Sequence, residues 1–378
     1  MVRLVSSTAQ REFPNEYVFE LVPSAHGIVG SLSDKSLRVF PLDLSGEASI
    51  SKAHDNTITG LKSVDQNVIA TSSTDSTVKL WDLRTKSCTA TIRSDTNAPF
   101  VCLDVLGNKL AAGTELVGQD AGVVFWDLRN TSKQSLAYID SHNDDVTVVQ
   151  FHPTDPHGVL TGSTDGLVNI YNTSIEDEDD AVYQTINHGA SIHRAGFLPG
   201  SCDHNKVYAL SHMETFSVHQ VANPDEAVEE PKPIELGDVR EKWDCEYVCD
   251  VLAPEGYIAV GSNSTGKLKL LPYDRDHGID TVNEIALNGA HGEEVVRSVY
   301  IDAARRCVYS GGEDGIVKLW TGAFAEDEQI SKPEKEQWEE VKKSKTKKSS
   351  SKEKKEHKHK HKHKHKDGKD KKSRYEPY

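Results

Sequence analysis

The sequence predicts an all-β fold, a seven-bladed β-propeller followed by a disordered basic tail. The first observation is one device used four times: a small-residue strand, a turn built on Asp, then a strand closing on an aromatic residue. It appears in ATSSTDSTVKLWDLR (70–84), GQDAGVVFWDLR (118–129), LTGSTDGLVNIYN (160–172) and YSGGEDGIVKLW (309–320). In each, the Asp precedes the aromatic by six residues, pairing Asp75 with Trp81, Asp120 with Trp126, Asp165 with Tyr171 and Asp314 with Trp320. The second observation is the period, near 45 residues, which marks an array of small repeated units; strand-rich repeats of that length close into a ring.

Taken in order, GIVGSLSDKSLRVF (27–40) supplies the first unit, and the gaps from Phe40 to Trp81, Trp126 and Tyr171 are 41, 45 and 45 residues. From Tyr171 to Trp320 is 149 residues, room for three units. KVYALSHMETFSVHQV (206–221) and GYIAVGSNSTGKLKLLP (256–272) fill that interval, alternating apolar and polar residues around a turn as half-buried strands do. Little after Trp320 reads as a strand, so closure is expected from an N-terminal segment, Val2 to Ser6 or Tyr17 to Leu21, added to the last blade.

Upstream of three repeats a His is expected at the start of a strand: His54, His142 and His291. Four residues before each Asp stands a hydroxyl, Thr71, Thr161 or Ser310. These positions converge in a four-stranded blade: an indole N–H donates to the hydroxyl, the hydroxyl to the imidazole, and the imidazole to the turn carboxylate. Such a buried chain is stable only when every member is satisfied. A hydroxyl–His–Asp set also describes a hydrolase triad, but recurrence in separate units argues against a unique nucleophile. The pattern resembles the WD-repeat family, whose structural tetrad His54, Thr71, Asp75 and Trp81 match in full. The stretch AAGTELVGQDAGVVFWDLR (111–129), then SHNDDVTVVQFHPTDP (141–156), GSTDGLVNIYN, GDVRE (237–241) and GGEDGIVKLW, resembles the family of WD repeat-containing protein 89 over most of residues 17–320. That resemblance implies a noncatalytic propeller.

Two successive units end in Trp-Asp-x-Arg, with Asp82 and Arg84 in one and Asp127 and Arg129 in the other. This looks like the box by which WD-repeat proteins dock on the adaptor of cullin-4 RING ubiquitin ligases, where an exposed Arg would offer a planar fork of donors to a partner. It suggests a substrate receptor as the alternative to a general scaffold.

Charge separates the chain into two parts. From Lys342 onward there are 17 Lys and Arg against 5 Asp and Glu; taking these from the totals of 44 and 59 leaves 27 basic and 54 acidic residues before that point. Residues 1–325 are read as the propeller, 326–341 as an acidic linker and 342–378 as a Lys/His-rich tail too polar to fold alone. The acidic disc suits basic protein clients such as ribosomal proteins or histones. The tail, with KKSKTKK at 342–348, suits nuclear or nucleolar import rather than a cytoplasmic location, or nonspecific contact with RNA and other polyanions.

Nothing points to a cofactor, a small-molecule substrate or a membrane span. The six cysteines lack paired metal spacing, and metal capture by the alternating His and Lys of 357–366 would be incidental, since neighbouring ammonium groups oppose a cation. Cys245 and Cys249 are expected on one face of a strand. SIEDEDDA (174–181) and NPDEAVEEPKPIELGDVREKWD (223–244) are expected as surface loops, and TELVGQDAG (114–122) as an excursion in place of a tight turn.

Overall fold

The computed structural model describes residues 3–198, 206–222, 231–274 and 278–324. Seven sheets follow one another around a ring, each built on four antiparallel strands that run from an inner to an outer one. Blade 1 comprises Val18–Ser24, Gly27–Leu32, Leu37–Phe40 and Ala48–Ile50; blade 2, Ile58–Ser63, Val68–Ser73, Thr77–Asp82 and Ser87–Ile92. Blade 3 comprises Phe100–Leu106, Lys109–Thr114, Ala121–Asp127 and Leu136–His142; blade 4, Val146–Phe151, Gly158–Ser163, Leu167–Asn172 and Val182–Asn187. The two units that lack the Asp–aromatic pair form blades of the same plan. Blade 5 is Ile192–Leu198, Lys206–Ser211, Thr215–Gln220 and Ile234–Asp238, and blade 6 is Tyr247–Leu252, Tyr257–Ser262, Lys267–Asp274 and Ile285–Leu287.

Closure uses neither expected segment in the expected way. Blade 7 takes Val296–Asp302, Cys307–Gly312 and Ile316–Thr321 from the end of the ring and Ser7–Glu12 from its beginning as the outer strand, with Ala9 opposite Leu319. Arg3–Val5 instead joins blade 6, pairing in parallel with Ile285–Leu287. Tyr17–Leu21 falls largely within the inner strand of blade 1. The difference has a physical source: six alternating residues at a terminus specify a strand but not which sheet edge accepts it, and that edge is built some 300 residues later.

Apolar side chains facing between neighbouring sheets make seven buried clusters. Phe40, Trp81, Trp126, Tyr171 and Trp320 all end buried in them. Each inner strand is also stapled to an adjacent blade by polar side chains. Glu20 accepts from the Leu61 amide at 2.6 Å, Thr59 donates to the Phe100 carbonyl at 2.8 Å, and Asp104 accepts from the Phe151 amide at 2.8 Å. Gln150 accepts from Phe197 N at 2.8 Å, Glu214 from Val248 N at 3.0 Å, the Tyr247 hydroxyl from Val296 N at 2.8 Å, and Ser298 from Leu21 N at 3.0 Å. Every one of the seven junctions therefore carries a staple.

Three further expectations are corrected. Residues 174–181 are not a free loop: Glu178–Ala181 forms a short helix, capped by Asp177. The Glu178 carboxylate reaches back to blade 3, accepting from the amides of Ile139 (2.6 Å), Asp140 (3.1 Å) and Ser141 (2.8 Å) and from the Ser141 hydroxyl. In 223–244, Ile234–Asp238 is the outer strand of blade 5, and Trp243 is buried with its ring 5.3 Å from Phe216; residues 223–230 lie outside the described set. A bulge between Val248 and Asp250, with Cys245 lying before the strand, sends Cys245 and Cys249 into different clusters, so they share no face. Both thiols are pushed well up by burial.

Deletion of residues 1–12 removes a strand from each of two blades. Urea unfolding followed by far-UV circular dichroism and tryptophan fluorescence is expected to show a lowered midpoint and two transitions that no longer coincide; one unshifted transition would show that the ring does not depend on this closure.

Candidate protein-interaction surfaces

The tetrad side chains come together in full in blades 2 and 7 and in part in blade 4. In blade 2 the Trp81 indole N–H donates to Thr71 Oγ1 at 2.9 Å, Thr71 Oγ1 lies 2.7 Å from His54 Nε2, and His54 Nδ1 lies 3.0 Å from Asp75 Oδ2. An indole only donates and a carboxylate only accepts, so His54 Nδ1 carries the proton shared with Asp75, and with the imidazole neutral the threonine hydroxyl donates to Nε2. Blade 7 repeats this with Trp320, Ser310, His291 and Asp314 at 2.9, 2.8 and 2.7 Å. In blade 4, His142 sits between Thr161 (2.7 Å) and Asp165 (3.0 Å), while the Tyr171 hydroxyl accepts from Asn169 at 3.3 Å. The histidines lie in the connection into each blade, His142 at the end of the preceding outer strand, rather than at a strand's start.

Burial pushes the His54 imidazole below its ordinary value despite Asp75 beside it. The same burial opposes charge on Asp75, but donors from Thr77, the Asp55 amide and His54 outweigh it and hold that carboxyl below its usual range. Thr71, Thr161 and Ser310 are fully buried. A hydroxyl committed between an imidazole and an aromatic donor, away from solvent, locks a turn and is poorly placed to attack a substrate.

A fifth member of the network recurs. The residue two before the aromatic position reaches the crossover that carries the histidine: Lys79 Nζ donates to Ala53 O at 2.8 Å, Asn169 Nδ2 to Ser141 O at 3.1 Å, and Lys318 Nζ to Gly289 O at 2.8 Å. In blade 6, where Leu271 replaces the aromatic, Lys269 keeps the role, donating to Trp243 O at 3.1 Å and lying 3.1 and 3.2 Å from Asp244 and Glu284. The signal is present in VKLW, VNIY and KLKLL, a polar residue at a fixed offset in an otherwise buried strand.

Blade 3 departs from this plan. Asp120 is exposed on the excursion, where its backbone pairs with Val117, and Ala112 occupies the hydroxyl position. Trp126 stays buried with Phe100 edge-on at 5.8 Å, and its indole nitrogen has no acceptor among the described residues.

Arg84 and Arg129 stand at equivalent places on the face opposite the tetrad turns, 64% and 72% exposed. Each guanidinium already grips its own aspartate: Arg84 Nε and Nη2 lie 3.1 and 2.7 Å from Asp82, and Arg129 Nε and Nη2 lie 2.9 and 2.5 Å from Asp127. Those bonds hold both carboxyls at about 2. Asp238 and Arg240, at the tetrad-turn face, form a third pair of this kind.

That tetrad-turn face holds the mouth of the central channel, a cavity of about 600 Å³ walled by residues of blades 1, 2, 5, 6 and 7. The turns and blade connections at that face carry exposed carboxylates, including Asp55, Asp95, Asp120, Glu293 and Glu294. Among the described residues no group of three His, Cys, Asp or Glu is gathered as a metal site.

This arrangement of repeats defines a WD-repeat propeller, and comparison with known proteins agrees. The WD domain, G-beta repeat model matches residues 47–82, 133–172 and 284–321. A WD repeat-containing protein of Saccharomyces cerevisiae is 40% identical over 313 residues, 80% of this chain and 78% of its own length, and one of Schizosaccharomyces pombe is 32% identical over 84% of this chain and 99% of its own. The chain belongs to the WD-repeat family. It is also similar to the WD repeat-containing protein 89 homolog of Dictyostelium discoideum, 26% identical over 81% of this chain and 82% of that one. Among solved structures, a chain of the mitotic checkpoint complex superposes with a TM-score of 0.65 at 15% identity, covering 84% of this chain and 91% of that one. Propellers of this family generally serve as noncatalytic platforms for protein partners.

His54, His188 and His219 are lowered chiefly by burial, and His193 is lowered to about 4 by burial and by Arg194 beside it. A histidine whose folded pKa lies below its unfolded value of about 6.5 binds more protons unfolded, so stability present above that pH is lost as pH falls through the folded value. Glu255, which burial raises to about 7, acts in the opposite sense over the same window because its protonated form is favoured in the folded state. Four histidines stand against it, so the melting temperature is expected to show a net decline from about pH 6.5 downward; a value constant from about pH 7.5 to 5 would contradict this balance.

Proposed function

We propose that the protein is a nuclear or nucleolar scaffold whose acidic propeller takes basic protein partners, with ribosomal proteins and histones as the chemical class to test. The observation that carries this reading is the surplus of 54 acidic over 27 basic residues before Lys342, combined with a ring whose loops are held on stapled sheets. Fixed carboxylates on a rigid face raise the encounter rate with a cationic partner and make affinity sensitive to salt. Binding of a purified core-histone dimer, measured by fluorescence anisotropy, is expected to weaken at least about tenfold between about 0.05 and 0.3 M salt, with no binding of a neutral protein of similar size. Salt-independent binding, or none at low salt, would reject the reading.

The basic segment 342–378 supports nuclear or nucleolar import, and its lysine density also suits nonspecific polyanion contact. Removing it is expected to lower nuclear accumulation of a fluorescent fusion while the propeller retains its melting temperature. Equal localisation of full-length and truncated proteins would assign the segment to solubility.

Docking on the cullin-4 adaptor is a second reading, favoured by the equivalent exposure of Arg84 and Arg129 on adjacent blades. It is weakened because both forks are occupied by Asp82 and Asp127, so a partner must take each Asp–Arg pair as a unit or break it. If this reading holds, Arg84→Ala with Arg129→Ala abolishes co-purification of the adaptor, because each substitution removes a charge-assisted contact to the partner. Unchanged adaptor recovery would remove these residues from consideration.

A further inference from the structure

The rim of the ring is made of outer strands, and an outer strand leaves one row of amides and carbonyls without a neighbour, a template for any chain able to pair with it. Around most of the ring these edges are guarded. Glu178 caps three successive amides of blade 3, Arg3–Val5 covers blade 6, and blade 1 offers only Ala48–Ile50. Charges stand within the outer strand of blade 5, at Glu235 and Asp238, and within that of blade 7, at Arg11 and Glu12. Blade 4 has no charge in Val182–Asn187, but Tyr183 and Gln184 tie that strand to blade 5 at 2.7 and 3.2 Å, and the acidic helix Glu178–Ala181 leads straight into it.

Blade 2 is the exception. Ser87–Ile92 pairs with Thr77–Asp82 alone, contains no charged residue, and exposes Ser87, Cys88, Thr89 and Thr91. Ala90 and Ile92 pack on the apolar cluster shared with blade 3, which fixes the strand in place. Its polar side chains turn to their own blade: Thr89 Oγ1 donates to Leu80 O at 3.2 Å, and the Cys88 thiol, a weak donor, lies 3.2 Å from Ala90 O. Among the described residues no other blade donates to or accepts from the backbone of this strand. Lys86 and Arg93 stand exposed immediately before and after it, about 23 Å apart along an extended chain. Neither has an ion-pair partner among the described residues, and Arg93 reaches only Asn97 Oδ1, at 3.4 Å. The edge is therefore firm, uncharged along its length and cationic at both ends. Two copies paired edge to edge about a twofold axis, in the centred register, would set Lys86 against Arg93, so charge opposes self-pairing. A strand with a carboxylate at each end meets both cations.

We propose that the outer edge of blade 2 receives an extended segment of a protein partner as a fifth strand, about six uncharged residues rich in valine and threonine with a carboxylate at each end. Backbone pairing supplies the affinity, Thr89 and Thr91 offer β-branched surface for cross-strand pairs, and ion pairs to Lys86 and Arg93 set the register. This rim is separate from the acidic face and selects the opposite charge, so it stands whether or not basic partners bind there.

The test uses the full-length protein and the blocked, dye-labelled octapeptide Glu-Thr-Val-Thr-Val-Thr-Val-Glu in fluorescence anisotropy. This peptide is expected to bind, and one with Lys at both ends at least about tenfold more weakly. A Glu-ended peptide N-methylated at its six central residues keeps the side chains and loses the ladder donors, and is expected not to bind. Hydrogen exchange read by mass spectrometry is expected to slow on binding in fragments covering residues 87–92. Lys86, at φ 54°, sits in left-handed backbone that aspartate tolerates. Lys86→Asp with Arg93→Glu, both at exposed positions, is therefore expected to keep the melting temperature and to reverse the preference, the Lys-ended peptide binding at least about tenfold more tightly than the Glu-ended one. No binding of the Glu-ended peptide, equal binding of its N-methylated form, protection elsewhere than at 87–92, or an unreversed preference in the double variant overturns the assignment. Sedimentation velocity of the protein alone is expected to show a monomer; a dimer protected from exchange at 87–92 would give this edge to a second copy and overturn the assignment equally.

Discussion

The constraint on which this structure depends is the free backbone edge of each inner strand. A four-stranded sheet satisfies its interior ladder, but the innermost strand presents one row of amides and carbonyls to the channel, where solvent access is restricted and unpaired groups are costly. The chain answers with side chains from the adjacent blade: carboxylates at Glu20, Asp104 and Glu214, an amide at Gln150, hydroxyls at Thr59, Tyr247 and Ser298. The chemistry varies around the ring while the function is constant, since any group of the right reach and hydrogen-bonding sense will serve. Rigid junctions then hold the turns of all seven blades in one frame, a prerequisite for a face that recognises anything.

This division of labour explains what can be read from the sequence. His54, Thr71, Asp75 and Trp81 act within one repeat, so their spacing is visible, and three copies make it unmistakable. Blades 5 and 6 lack the aromatic–Asp pair yet are legible, because alternation around a turn is imposed by the pleat itself. Glu20 and Asp104 are not legible, because each serves a neighbour more than 40 residues away and recurs as no fixed residue type. Glu178 escapes for the same reason: within SIEDEDDA it is one carboxylate among several, and only the fold places it opposite three amides of blade 3. The Asp–Arg pairs differ again. Their residues are plain in the sequence, which suggests a vacant arginine fork, whereas an aspartate two positions earlier already fills it.

Blade 3 shows how the ring tolerates loss of the network. With Ala112 in the hydroxyl position and no histidine, Trp126 keeps its apolar burial and forfeits its polar partner, a cost on the order of 1–3 kcal/mol for an unsatisfied buried donor. The same blade is braced from outside. Glu178 clasps its outer strand, Tyr138 donates to the Ile175 carbonyl at 2.5 Å, and the Leu116 amide donates to Asp145 at 2.7 Å. Support from blade 4 replaces support from within, and the excursion that displaces Asp120 from its turn is held in place by that neighbour.

The acidity of the tetrad-turn face has two origins. Turns and blade entries need acceptors, and Asp75, Asp165, Asp314, Glu214 and Glu246 supply them to backbone amides. Part of the negative charge is thus a consequence of how blades are capped. Structural use does not neutralise a carboxylate, however; an amide donor leaves its full charge in place, so the caps still contribute to the field felt by an approaching molecule. Added to them are Asp55, Asp95, Glu293 and Glu294, exposed and set in the connections between blades. Carboxylates held by the fold and carboxylates free at its surface therefore act in the same direction. A molecule approaching this face meets an electrostatic pattern whose geometry the ring itself maintains, so changes that loosen the caps alter that pattern as well as stability.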